Sequence, residues 1–151
     1  MFIFDALRQI RQNTLKAAEH LSTEQLNHIP ERCNNNIIWH IGHMMASQQI
    51  LCYTRAGAKT RLSQEFIDKY KKGTSPKEWS ESVSLGELKP LFLETANLFY
   101  TDYQSGVLSN YDTYPTASGI VLNTIDEAIQ YSYGHENLDY GNILTMLKMI
   151  P

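Results

Sequence analysis

The run from Ile37 to Gly57, IIWHIGHMMASQQILCYTRAG, constrains the fold more than any other stretch of the chain. Asn34, Asn35 and Asn36 stand directly before it as N-cap candidates, because a short side-chain oxygen accepts from the N–H groups that a first helical turn leaves unpaired. Ile37, Ile41, Met44, Gln48 and Leu51 then recur at helical spacing, and Gly57 closes the run as a C-terminal glycine does. A helix this apolar must bury its face against other helices, since an isolated helix is marginal in water.

Three further patterns supply those partners. From Phe2 to about Leu21, Ile3, Leu7, Ile10, Thr14, Ala17 and Leu21 mark an amphipathic helix. A third helix is expected from about Leu85 to Gly106, on Leu88, Leu91, Phe92, Leu98 and Phe99, with Pro90 tolerable only near its first turn. Thr124 and Glu127 form a T-x-x-E capping box that opens a fourth helix running to about Met149. Shorter turns are expected after Ser22, which has capping-box spacing to Gln25, and from Gln64 to Lys71. Tyr111 to Leu122, rich in Tyr, Thr, Ser and Pro, reads as a crossover with room for a short strand pair. The chain is therefore expected to be all-α, a four-helix bundle with a long crossover before the last helix.

A length of 151 residues, 42% of them hydrophobic, suits one core and one domain spanning residues 1–151. A net charge of −3 gives no basic surplus for phosphate neutralisation, which argues against a nucleic-acid partner. The basic run from Lys69 to Lys72 reads as a solvated face. Cys33 and Cys52 form neither a CxxC pair nor a disulfide framework, and the opening MFIFDALRQIRQ lacks the apolar run of a secretion signal. No stretch approaches the ~18 apolar residues of a membrane span. A cytoplasmic protein without a membrane partner is the expectation.

On the last helix His135 and Asp139 are one turn apart, so an imidazole and a carboxylate can converge on one point. A surface ion pair is the commoner meaning of such a pair. His43 adds weight, because it lies beside Ile41 and Met44 near an apolar face, where an unpartnered imidazole would lose hydrogen bonds on burial. Together His43, His135 and Asp139 would form a two-histidine, one-carboxylate set with coordination positions left open. His40, three residues before His43, is either a fourth ligand, a donor beside the site or a partly exposed histidine. Glu136 projects about 100° away from His135, a poor placement for a general base. Trp39 reads as core, while Gln48, Tyr131 and Asn142 are candidate pocket walls. No residue is singled out as catalytic.

The segments NNIIWHIGHMMASQQ and GHENLDYGNILTMLK resemble the DinB superfamily, also described as DinB/YfiT-like metalloenzymes. Members show an Asn-rich lead into W-x-x-G-H on the second helix and H-E-x-x-H on the last. The resemblance extends over LSTEQLNHIPE, KYKKGTSP and SGIVLNTIDEAI, and so over nearly the whole chain. It implies that His43 and His135 are metal ligands. Asp139 stands where the family has its second histidine; an aspartate can ligate zinc, nickel, iron or manganese, but it changes the site charge by one unit and hardens the donor set, leaving the metal's identity open.

The resemblance further implies a metal-dependent enzyme acting on a small molecule, of thiol S-transferase or hydrolase type, with a low-molecular-weight thiol as one possible substrate and homodimerisation through the helices. The alternative is a non-catalytic, stress-related scaffold that binds a metal or small molecule through a degenerate site.

Overall fold

The computed structural model describes every residue from Met1 to Pro151. The chain is mostly helical. Its α-helices are α1 (Phe2–Ala18), α2 (Thr23–Asn27), α3 (Ile37–Gln48), α4 (Gln64–Tyr70), α5 (Leu85–Ser105) and α6 (Ile125–Met146). A small antiparallel sheet of β1 (Tyr114–Pro115) and β2 (Val121–Leu122) pairs Tyr114 with Leu122 and Pro115 with Val121. No helix is long and apolar enough to cross a membrane.

Side-chain caps set where the helices begin. The Asn36 side-chain oxygen accepts from the Trp39 N–H at 2.8 Å and starts α3. Ser22 and Gln25 cap α2 reciprocally, and Ser63 caps α4. Thr124 accepts from the Glu127 N–H and starts α6, but the Glu127 carboxylate takes the N–H of Asn123 instead of Thr124, so the expected capping box is only half formed.

Helix ends depart from the sequence expectation in several places. α1 stops at Ala18 and α6 at Met146, each followed by turns through residues expected to be helical. The second long helix is not continuous. It passes at Gln49 into a π turn (Gln49–Tyr53) and then a 3-10 turn (Thr54–Ala56), ending at Gly57 with φ 66°. The wide turn takes in an extra residue, and the Gln49 side-chain oxygen held inside accepts from the backbone N–H of Arg61 at 2.7 Å. Pro90 is the sixth residue of α5 and lies beyond the first turn. It deprives the Gly86 carbonyl of a donor, and Gly86 is exposed to water and has no side chain to obstruct the ring.

α1 packs against α5 and α6, and α3 packs against the same two helices from the other side. α3 is buried all round from Ile37 to Ala46 instead of along one stripe. The cause is an outer cover: Leu26, Leu62, Ile67, Tyr70 and Val83, from α2, α4 and their flanking loops, join its core cluster. A second cluster gathers Phe4 and Leu7 of α1, Leu51 to Tyr53, Phe99, and the first turns of α6.

Between the two clusters runs a polar level. Arg11, fully buried, donates to both carboxylate oxygens of Glu136, at 3.1 and 2.7 Å, and through Nη1 to the Phe92 carbonyl and the Thr95 hydroxyl at 2.8 and 2.6 Å. Glu136 therefore faces α1 and α5, away from His135.

Candidate metal centre

α3 and α6 bring the three singled-out side chains to one place. His43, His135 and Asp139 each offer a donor atom, and these atoms lie within 4.8 Å of one another. His43 and Asp139 are buried, and the His135 side chain is about one quarter exposed. The two imidazole centroids are 5.0 Å apart.

A backbone carbonyl fixes the orientation of His43. Its Nδ1 lies 2.7 Å from the carbonyl oxygen of Tyr70, which only accepts, so Nδ1 carries the proton and Nε2 presents a lone pair. Burial pushes the imidazole below its ordinary pKa, opposed by the charge of Asp139 and by the Tyr70 carbonyl. Neutral His43 is the form that ligates a metal.

This contact depends on Gly42. A Cβ at that position would lie 2.2 Å from the Tyr70 ring, so only glycine lets α4 approach α3 this closely. Trp39 stacks on His43, with centroids 4.4 Å apart and planes 13° from parallel, and its indole N–H donates to the Thr74 hydroxyl at 3.0 Å. Trp39, Gly42 and His43 thus act together: one side chain covers the imidazole, one absence of a side chain admits its hydrogen-bond partner, and the third is the ligand candidate.

On α6 the carboxylate of Asp139 is divided. Oδ1 accepts from His40 Nδ1 at 2.7 Å. Oδ2 is 3.3 Å from His135 Nδ1, yet the two are not aligned for a hydrogen bond, and both are buried without a partner. Such unmet polar atoms cost about 1–3 kcal/mol each. A divalent cation shared with His43 would satisfy both, so the donor set fits the metal that its chemistry implies. Two imidazoles and one carboxylate suit zinc, nickel, iron or manganese.

His40 does not join the converging donors. It is buried and holds Asp139 from behind, the outer-partner role that steadies a metal-binding side chain. A cavity of about 390 Å³ opens over the centre, lined by His43 and His135 together with Ser47, Thr116 and Tyr131. Ser47 Oγ is 3.3 Å from His43 Nε2. Asp139 does not line the cavity, so the imidazoles face it and the carboxylate lies behind.

Tyr131 is the one candidate wall residue that reaches the cavity. Gln48 is instead fully buried beside Gln49, whose side-chain amide donates to it at 3.2 Å, and Asn142 is exposed, two turns beyond His135 along α6 and outside the cavity lining. Lys71 and Lys72, expected to be no more than a solvated face, are exposed but also line the cavity. Burial pushes the Cys52 thiol far up, leaving an inert apolar group.

Comparison with protein-family models matches residues 6–143 to the DinB superfamily. The chain belongs to that superfamily. Its W-x-x-G-H residues are the ones that build the His43 side of the centre, and within this DinB-superfamily chain Asp139 occupies the place opposite them. A comparison with curated proteins finds no match.

Proposed function

We propose that this DinB-superfamily protein is a metal-dependent enzyme acting on a small molecule, with one divalent ion held by His43, His135 and Asp139. The observation that carries the reading is the pair of buried, unpartnered atoms, His135 Nδ1 and Asp139 Oδ2, beside a His43 whose Nε2 is unprotonated. A relic site would have its side chains satisfied by one another. Here His135 Nδ1 and Asp139 Oδ2 are left unsatisfied next to a cavity of about 390 Å³, within the range of small-molecule sites.

When bound, the ion supplies Lewis acidity that lowers the pKa of a thiol or water. His40 holds Asp139 in place, and the Tyr70 carbonyl keeps the His43 proton on Nδ1. Thiol S-transfer and hydrolysis are the reaction types of this reading, with a low-molecular-weight thiol among its candidate substrates. The four long helices belong in it to a four-helix bundle of DinB/YfiT type, in a cytoplasmic homodimer. Asp139 at the family's histidine position favours the second reading, a non-catalytic metal- or small-molecule-binding scaffold.

Elemental analysis of untagged protein purified without added metal tests the proposal. Near-stoichiometric zinc, nickel, iron or manganese in the wild type, lost in His135→Ala, is the expected result. Failure of the wild type to hold or take up any divalent ion would sink it.

A further inference from the structure

The cavity has a charge opposite to that of the protein. The chain carries a net charge of −3, yet the cavity lining includes Lys71 and Lys72 and no aspartate or glutamate. Both ammonium groups stand on the chain just after α4, where Tyr70 closes the helix. Lys71 makes a 2.9 Å ion pair with Asp68 in which both side chains are 48% exposed. Such a pair contributes only ~0–1 kcal/mol, so it yields readily to a better anion. Lys72 enters none of the ion pairs of the structure.

The position of the lysines follows from the same contact that orients His43. The Tyr70 carbonyl is held on His43 Nδ1, and the next two residues are the lysines, so the chain that fixes the imidazole also delivers two cations to the cavity mouth. The rest of the wall is neutral, with Ile50 and Leu51 apolar and Tyr114 and Tyr131 bearing hydroxyls. A positive mouth, a neutral wall and a cluster of ligand atoms therefore line one space.

We infer that the substrate of this site carries an anionic group, a carboxylate or a phosphate, which Lys71 and Lys72 hold at the mouth while its reacting end lies against His43 and His135. The reacting end rests on the metal-enzyme reading; the anionic group rests on the lysines alone. Partial exposure limits each contact, and two lysines together favour an anion over a neutral analogue by about five- to tenfold.

The test is an NMR titration of untagged protein with 3-mercaptopropionate and with the neutral 3-mercaptopropan-1-ol, each with and without one equivalent of zinc. The amides of Lys71 and Lys72 and the imidazoles of His43 and His135 are followed. The expected result is about five- to tenfold tighter binding of the acid, lost in the Lys71→Gln/Lys72→Gln double variant and kept in Lys89→Gln/Lys148→Gln, which changes net charge equally. Competition by acetate or by inorganic phosphate distinguishes which anion the mouth prefers. Equal affinity for the two probes, a preference unmoved by the double variant, or no binding of either probe overturns the inference. A protein that takes no zinc but keeps the lysine-dependent preference fails the metal reading and retains the anion site. One that takes zinc and binds both probes equally does the reverse.

Discussion

Glu136 and Asp139 are three residues apart on α6 and almost equally buried, at 0% and 4% exposure. Glu136 meets a guanidinium on both oxygens, and that guanidinium spends further N–H groups on a carbonyl and a hydroxyl. Asp139 has one oxygen on His40 and the other on nothing, beside an imidazole nitrogen in the same condition. The two carboxylates share a helix, a depth and a charge, so neither burial nor residue type separates structure from function here. Saturation does. A buried charge with both oxygens engaged by a guanidinium holds helices together, whereas one left half-used beside two imidazoles marks a candidate ligand site.

That contrast is broken most forcibly at Arg11. Arg11→Ala leaves Glu136 buried and unpaired and should cost about 3–5 kcal/mol of stability, read by chemical denaturation. Arg11→Met combined with Glu136→Leu should recover much of the loss, and zinc capacity of the folded double variant should match the wild type. A loss below about 1 kcal/mol in Arg11→Ala would show that the saturated pair is not structural.

Asp139→Asn sharpens the contrast from the other side. It keeps an acceptor for His40 while removing a metal-binding charge, so zinc affinity by competition titration should fall by more than the ~10–100-fold typical of losing an outer partner. Metal-free stability should stay level or rise, since an unsatisfied charge has gone. A metal-free protein destabilised as severely as Arg11→Ala would place Asp139 with Glu136 instead.

His40→Leu should weaken zinc by about 10–100-fold, because Asp139 loses the donor that steadies it. The smallest of these effects is expected for Gly42→Ala. The added methyl meets the Tyr70 ring, and overpacking of this kind costs about 1–3 kcal/mol. Thermal unfolding should register it, and a matching zinc titration should show weaker binding as the Tyr70 carbonyl withdraws from His43.

What the sequence revealed and what it hid divide along physical lines. Asn36, Ser22 with Gln25, and Thr124 cap their helices as the spacing predicts, because caps act within a turn of where they are written. His135 and Asp139 meet for the same local reason, and the family pattern adds His43. Contacts between distant segments left no such trace. Arg11 and Glu136 are 125 residues apart, and His40 and Asp139 are 99 apart. The partner of His43 is a backbone carbonyl, which every residue possesses and no composition discloses. For Gln48 and Asn142 a helical period gives a face but not how far along the helix the cavity reaches. The first lies at the start of the π turn, buried against Gln49, and the second stands two turns beyond His135 on α6, past the reach of the cavity.

The hydrogen bond from His43 to the Tyr70 carbonyl has a consequence for how this protein could change over time. Because the acceptor is main chain, the proton position on the imidazole is inherited from the path of α4, set by Tyr70 against Gly42, and is insulated from the side chains that follow Tyr70. Lys71 and Lys72 can therefore be exchanged for other residues without disturbing the unprotonated Nε2 of His43. The arrangement sets a fixed imidazole beside exchangeable side chains only one peptide away, so selection or a protein engineer can change the charge at the cavity while the imidazole stays in place.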